Sequence, residues 1–526
     1  MRSLLGRFHR PMSRGLVNNM LTMNNLGDGS TLSLDFTTMG GVLDPRLTFS
    51  RASGGTYVGS DGYIYGVDSA TSASLAIGTG SKSVTLTATA GVDRRFQVGQ
   101  TVYFSSGANN MNGLVTAYNA STQSITINAT ATTGSGSFTS WFVGNASPRF
   151  DYSPTNIGEP RGLLVEGNVA NFIKQSQALS GAANYGMLAI SIDGTVPDPM
   201  NGAETKKIAA SFSATPAFHG FVQFFVIAAT GTETVSIFAK KNNYKYLFMA
   251  DAITNTIAVR FNLETGVDDL PVASGGAKYV SSKMTPYPNG WYRCEMTATV
   301  TAAQNFGVTF VGVPDTGATY AVTGASYPGS GNSNDGIYAI GLQAEAGSGA
   351  SSYIPTGASE VTRAVDTAII AAGTNFSSWY TGGTTGTFVS NWYGNKSSST
   401  ARSVIATSDV DDQHLHLYQT ASALTLRLAD YGALATVTTA NNLTANALTK
   451  GAFSYAGTAT SLCLNGGTVA TNTLGFSVAP TFLSIGGPST TGTTITDTSV
   501  MLNNSIRTIK YYPTRLTDAQ IKDITT

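Results

Sequence analysis

Apolar and polar residues alternate over short stretches along most of the chain, and turn-forming residues separate these stretches. Asp61-Gly62 lies between two such stretches and is a strong β-hairpin signal. Residues 168–179 have helical spacing, and Thr517 with Gln520 fits a helix capping box. The pattern therefore predicts an all-β fold of serial β-sandwich and jelly-roll domains, with a small inserted β-domain and very few short helices.

Changes in this pattern predict the domain organisation. Short turn-rich strands before residue 70 resume after residue 146, which indicates an insertion between them. The predicted parts are an N-terminal anchoring arm (1–30), an attachment and linker region (31–69 and 147–179), the inserted β-domain (70–146), a jelly roll (180–370), a linker (371–386) and a C-terminal sandwich (387–526).

Composition excludes several classes of protein. The 30 Lys and Arg balance the 30 Asp and Glu, so we expect no nucleic-acid partner. Charged residues are 11% of the chain, too few for a charge-rich helical bundle. Residues 221–229 form the longest apolar stretch, which is too short to insert into a membrane. Cys294 and Cys463 lie far apart, and we expect two buried free thiols.

The N-terminal arm is basic, because no acidic residue precedes Asp28. It also lacks an apolar core long enough for a signal peptide, so we expect synthesis in a cytosol. One interpretation is a frayed tail. The other is an arm that binds an acidic surface of a partner. The predicted partner-binding residues are Arg2, Arg7, Phe8, Arg10 and Arg14.

Motifs for catalysis are absent: the chain has no G-x-S-x-G, phosphate-binding loop, H-E-x-x-H or C-x-x-C. We therefore predict a protein that is not an enzyme and has no cofactor, with calcium as the one alternative. Asp409, Asp411 and Asp412 could offer oxygen ligands to Ca²⁺. The competing interpretation of these three residues is a polar hairpin turn.

Aromatic residues beside polar loops are the candidate sugar-binding residues. A saccharide needs an exposed ring on which its apolar face stacks, together with side chains that hydrogen-bond its hydroxyls. Packing in a core is the alternative for these rings. The candidates are Trp379, Tyr380, Trp392, Tyr393 and Asn395.

Several stretches resemble a family of bacteriophage virion proteins that are tail or fibre components. The N-terminal signature of that family is similar to residues 47–62, and it continues at 148–154 and 159–166. The middle unit resembles a carbohydrate-binding-module-like jelly roll at residues 291–294, 340–345, 352–356 and 361–366. The last unit resembles a laminin-G/concanavalin-like sandwich at residues 506–520.

This resemblance implies a virion structural protein, either a tail fibre, a spike or an adhesin. Its location would be the tail or capsid surface of the virion. Its partners would be other phage virion proteins and a host cell-surface glycan, and we expect a homo-oligomer, with a trimer as the first choice. The alternative is a capsid decoration or tail-assembly component that binds no sugar.

Overall fold

The structure is a computed structural model. It describes residues 28–526 except 39–42, 88–92, 107–108, 178, 180–188, 193–195, 201–205, 210–212, 219, 228–230, 252–256, 274–278, 301–303, 322–323, 331, 333, 395–401, 409–413, 420–423, 431–432, 439–446 and 474–478.

The described residues are almost entirely strands and turns, which confirms the all-β prediction. They contain two α-helices, α1 (Thr374–Ser377) and α2 (Asp518–Ile524), and a 3-10 turn at Pro288–Gly290. The capping box is confirmed: the Gln520 N–H donates to the Thr517 side chain, and the Thr517 N–H donates to the Gln520 side chain. The helix predicted over 168–179 is wrong, because residues 169–171 pair as a strand.

Four strands precede the barrel, and six form it. They are β1 (Leu32–Asp35), β2 (Leu47–Ser50), β3 (Tyr57–Val58), β4 (Ile64–Tyr65), β5 (Val67–Ala76), β6 (Gly80–Leu86), β7 (Thr101–Ser106), β8 (Asn109–Asn119), β9 (Ser124–Thr133) and β10 (Ser137–Asn145). Strands β3 and β4 form the hairpin that Asp61-Gly62 predicted, with Gly62 at a φ of 82°. Strands β5 to β10 close into a barrel around Trp141, and this barrel is the inserted β-domain.

The middle of the chain contains the strands of the jelly roll. The strands are β11 (Arg149–Tyr152), β12 (Pro160–Val165), β13 (Val169–Asn171), β14 (Ala189–Ile192), β15 (Lys206–Ala209), β16 (Ser213–Phe218), β17 (Gly220–Ile227), β18 (Gly231–Lys241), β19 (Tyr246–Asp251), β20 (Ile257–Asn262), β21 (Val267–Ala273), β22 (Tyr279–Tyr287), β23 (Trp291–Val300), β24 (Gln304–Val313), β25 (Thr319–Ala321), β26 (Gly324–Gly329) and β27 (Ile337–Ala346). A six-stranded sheet, β14-β15-β27-β18-β23-β22, faces the sheets that contain β16 and β17 across one apolar core.

The last strands complete the C-terminal sandwich. They are β28 (Val361–Arg363), β29 (Thr367–Ile370), β30 (Thr385–Tyr393), β31 (Arg402–Ser408), β32 (His414–Gln419), β33 (Leu424–Asp430), β34 (Ala433–Thr438), β35 (Leu448–Ala456), β36 (Ala459–Leu464), β37 (Ala470–Asn472), β38 (Leu483–Ile485) and β39 (Asn504–Tyr512).

The C-terminal sandwich contains strands from both ends of the chain. Strands β1 and β12 lie end to end along β39, and β2 pairs with β29 in the opposite sheet. The sequence predicted that residues 31–69 and 147–179 form a separate attachment and linker region. In the structure, strands β1, β2 and β12 of these segments belong to the sheets of the sandwich instead. These short strands pair with β39 and β29, whose backbone groups would otherwise be unpaired at the edge of a sheet.

The other two modules are nested within this sandwich. The barrel leaves and re-enters at Val67 and Gly144, which face each other in register. The jelly roll leaves and re-enters through β13 and β28, which pair with each other. Each insertion thus has adjacent ends, so it interrupts the sandwich without opening it.

The predicted linker 371–386 instead belongs to the sandwich core. It contains α1, whose Phe376 is buried. The Phe376 ring stacks on Tyr380 at 4.8 Å, and Tyr380 stacks on Tyr511 of β39 at 4.9 Å. Aromatic burial of this size fixes the segment, although its glycines indicated a linker.

Candidate functional site

The signature segments meet in a buried ion-pair junction between the sandwich and the jelly roll. Its members are three arginines and two carboxylates that are at most 2% exposed: Arg51, Arg149, Arg363, Glu166 and Asp366. Arg51 Nη1 donates to Asp366 Oδ1 at 2.6 Å, and Arg149 Nη1 donates to Glu166 Oε2 at 2.6 Å. Arg149 also pairs with Asp366 through its other terminal nitrogen.

Charge pairing keeps this junction ionised in spite of its burial. Burial alone would raise the pKa of Glu166, but Arg363, Arg149 and the hydrogen bonds of Ser352 lower it to about 2. For Arg51, burial is the largest influence and lowers the pKa to about 10 against the attraction of Asp366. The junction therefore holds ionised groups whose loss would leave an opposite charge uncompensated.

Next to the junction lies an open cavity of about 310 Å³, which we call the interdomain cleft. Its jelly-roll side comes from β22, β23 and residues 350–353, and its other side comes from the β3–β4 hairpin, β11, β12 and residues 503–504. A cavity of this size lies at the lower end of the range for small-molecule sites. Two modules must therefore both be in place for the cleft to exist.

The edge strand β22 lines one side of the cleft with its consecutive residues 283–287. Lys283, Thr285 and Tyr287 line it, and their register partners on β23 include Glu295 and Arg293. Lys283 Nζ lies 3.5 Å from Glu295 Oε1. The hydroxyl of Thr285 is buried without a hydrogen-bond partner, which leaves a donor and an acceptor for a ligand.

The opposite wall carries Asp151 and Arg161. Asp151 Oδ1 accepts the N–H of Val58 at 2.8 Å and so ties the hairpin to β11. Burial raises the pKa of Asp151 to about 6, although that hydrogen bond opposes the shift. The Arg161 guanidinium lies 4.4 Å from the centre of the Tyr393 ring, which is a cation–π contact.

Two tyrosines give the cleft its aromatic surface. Tyr57 from β3 and Tyr287 from β22 are half-buried and line the cavity from opposite sides. The Tyr287 ring packs edge-on against Phe238 at 5.2 Å. This arrangement combines ring faces with hydrogen-bonding groups, which is what a saccharide site requires.

The aromatic residues predicted from the sequence as sugar platforms lie in the core. Trp379 and Trp392 are fully buried, and Tyr380 and Tyr393 are 7% and 5% exposed. Trp392 Nε1 donates to Gln419 Oε1 at 2.8 Å inside the sandwich. The prediction of an exposed stacking ring is therefore wrong for these four residues, because the sandwich core needs their area.

The remaining predicted site residues lie outside the described residues. They are the candidate ligand Asn395, the calcium candidates Asp409, Asp411 and Asp412, and the arm residues Arg2, Arg7, Phe8, Arg10 and Arg14. Among the described parts of the chain, no group of three or more His, Cys, Asp or Glu side chains is arranged to hold a metal ion. No helix in those parts has the length and apolar character to cross a membrane.

Sequence analysis missed the cleft because its residues come from distant segments. Two of its residues, Tyr57 and Asp151, stand within the signature stretches and were assigned to attachment. Alternation along residues 283–287 was the one available local signal, since it marks a strand with a polar face. Nothing in the sequence indicates that this face meets Arg161.

Comparison with known proteins gives structural likenesses only. No family model and no curated protein matches the chain. The carbohydrate-binding module (CBM40) of the Ruminococcus gnavus IT-sialidase bound to α2,3-sialyllactose is similar, with 20% identity, 27% of this chain and 82% of that chain covered, and a TM-score of 0.24. Laminin α1 domains LG4-5 of mouse show 10% identity over 58% of this chain and 96% of that one, with a TM-score of 0.22. A Limulus polyphemus pentraxin shows 12% identity over 27% and 70%, with a TM-score of 0.21.

Proposed function

We propose that this chain is a structural protein of a phage virion, a tail fibre, spike or adhesin, which binds host surface glycans in the interdomain cleft. The observation that carries the binding part is the cleft itself. It brings the rings of Tyr57 and Tyr287 together with the unpaired hydroxyl of Thr285 in one cavity of about 310 Å³. The virion part is supported by the resemblance of the signature segments.

The composition of the cleft favours a saccharide over an apolar ligand. Carboxylates, arginines, a lysine and asparagines outnumber aliphatic side chains on its walls. Polar groups at fixed positions around ring faces match the alternation of hydroxyls and C–H faces on a sugar. One such site binds weakly, and the proposed homotrimer would strengthen attachment through avidity.

A glycan array with the intact protein tests the proposal. Thr285→Val keeps the side-chain shape and removes the hydroxyl, so we expect about two- to tenfold weaker binding of the array hits. Thr116→Val makes the same change on the exposed surface of the barrel and is expected to leave binding unchanged. An array that stays blank for the unmodified protein contradicts glycan binding.

A second candidate function is a capsid decoration or tail-assembly component that binds no sugar. The observation that favours it is the ion-pair junction. In it, Arg51, Arg149 and Glu166 of the signature form ion pairs that connect the modules. Under this alternative the cleft would be covered by a neighbouring virion chain. A particle density map in which a neighbour fills the cleft would support it over glycan binding.

A further inference from the structure

The cations of the interdomain cleft are not all neutralised. Lys283 has Glu295 as its partner. Arg293 is 6% exposed and donates to neutral oxygens, the hydroxyl of Ser236 and the carbonyl of Ser351. These bonds hold Arg293 in place, and Glu345 compensates part of its charge, since Arg293 lowers the pKa of that carboxyl against the effect of burial.

Arg161 is the cation with the most unused bonding capacity. It is half-buried, and among the described residues it forms no hydrogen bond and no ion pair within 4 Å. Its cation–π contact with Tyr393 places the guanidinium at the cleft wall. A guanidinium carries five N–H donors in a planar fork that fits a carboxylate with two parallel hydrogen bonds.

Two of the three carboxylates that line the cleft already have cationic partners other than Arg161. Glu166 is paired with Arg149 and Arg363, and Glu295 lies beside Lys283 and accepts the N–H of Ala350. Among the described residues, Asp151 has no cation within 4 Å, although Arg161 acts on it at longer range and lowers its pKa against the effect of burial. Arg161 is therefore the cleft cation for which the described residues supply neither a hydrogen bond nor a carboxylate within 4 Å.

We propose that the glycan bound in the interdomain cleft is acidic, and that Arg161 binds its carboxylate. This inference rests on the proposed function and specifies the ligand class for the same site. The sugar ring lies against the tyrosines while its carboxylate faces the guanidinium. Asp151 opposes the ligand carboxylate whenever both are ionised, so it limits the affinity at neutral pH.

Titration calorimetry with the intact protein at low salt tests the ligand class. The probes are uronic-acid and nonulosonic-acid oligosaccharides, each paired with its carboxyl-reduced, neutral counterpart. We expect at least tenfold tighter binding of an acidic probe than of its reduced form. Equal binding of both forms overturns the inference and leaves the proposed function standing, whereas a blank for every acidic and neutral probe and a blank array overturn both.

Two variants test the roles of the residues. Arg161→Gln is expected to weaken binding of the acidic probe much more than binding of the reduced one, so that the preference for the acidic probe is lost, and Arg161→Lys is expected to restore part of that preference. Asp151→Asn keeps an oxygen that accepts the N–H of Val58. We expect this variant to bind the acidic probe with several-fold higher affinity at pH 7. An unchanged acid preference in Arg161→Gln, with an unaltered melting temperature, contradicts the assignment of Arg161.

Discussion

At the scale of single residues, Glu166 compensates two buried arginines. It pairs with Arg149 at 2.6 Å and with Arg363 at 3.3 Å, and it also accepts two hydrogen bonds from Ser352. Glu166→Gln leaves the shape and removes the charge, so both guanidinium groups become undercompensated in a dry site. We expect the free energy of unfolding to fall by about 3–5 kcal/mol, measured by denaturant titration.

The control for Glu166→Gln is the same change on the surface. Glu264 is exposed and pairs with Lys241 and Lys245. Exposed ion pairs are screened by water and salt, so Glu264→Gln should change stability little. If both variants lose the same small amount, the junction does not hold the modules together.

Asp151 predicts a pH dependence of stability with a definite sign. Burial raises the pKa of Asp151 to about 6 in the folded protein, above its ordinary value of 3.8. The folded state therefore favours the protonated carboxyl, and this stabilisation is lost as pH rises through about 6. Glu233 and Glu345, each with a pKa raised to about 7 by burial, act in the same direction.

We expect the melting temperature of the protein to fall between about pH 4 and pH 7, the interval between the unfolded and folded pKa values of these groups, and to fall less in Asp151→Asn. The Asp151 contribution is about 3 kcal/mol at most. Parallel curves for the two proteins over this range would show that Asp151 is not protonated in the fold. Below pH 4 the trend reverses, because protonation of Glu166, whose pKa is about 2, removes its pairing.

At the scale of elements, β1 is the first described strand and contributes to the sandwich core. Leu32, Leu34 and Phe36 are at most 2% exposed in the sandwich core, and Asp28 pairs with Lys510 at 2.7 Å. Asp28, which the sequence predicted to belong to the arm of residues 1–30, therefore contacts the sandwich. Deletion of residues 1–27 should leave stability unchanged, and by the sequence-based prediction it should prevent incorporation into particles.

Deletion of residues 1–36 removes the three buried side chains and uncovers part of β39. We expect a loss on the order of 5 kcal/mol, seen as a lower midpoint in denaturant unfolding. Equal midpoints for the two truncations would mean that β1 contributes nothing to the sandwich. Wild-type copy number in particles after deletion of 1–27 would contradict the anchoring role of the arm.

Elements set by local chemistry were predictable from the sequence, whereas distant pairing was not. The hairpin at Asp61-Gly62 and the Thr517 capping box depend on neighbouring residues, and both are confirmed. Arg51 and Asp366 are 315 positions apart, and no spacing rule reports such a contact. Trp379 stands among glycines, and this context predicted an exposed ring. The ring is buried instead, because it packs against Tyr511 of the distant strand β39.

At the scale of the whole molecule, nesting makes the barrel removable. Val67 and Gly144 are paired neighbours, so a two-residue turn can replace residues 68–143. The excision keeps the ion-pair junction but loses the contacts of Arg95 with Asp61, of Arg94 with the Met200 carbonyl and of Thr101 with Ser147. We expect the shortened protein to fold and to keep its near-ultraviolet circular dichroism per remaining aromatic residue. A molten or aggregated product would contradict the claim that the sandwich folds without the barrel.

Removing the jelly roll would destroy the interdomain cleft, because the jelly roll supplies one of the two walls of the cleft. Strand β22 belongs to the jelly roll, and β3 and β11 belong to the sandwich side. The ion-pair junction connects the two sides, because Arg149 and Glu166 hydrogen-bond Ser352, which lines the jelly-roll side of the cleft. Glycan binding should therefore weaken in Glu166→Gln even though Glu166 is already fully paired.

The most direct test of the account is a crystal structure of the protein soaked with the tightest saccharide from the array. The account predicts density for a sugar ring between Tyr57 and Tyr287, within hydrogen-bond distance of Thr285. A saccharide bound on any other surface, with the cleft empty, would contradict it.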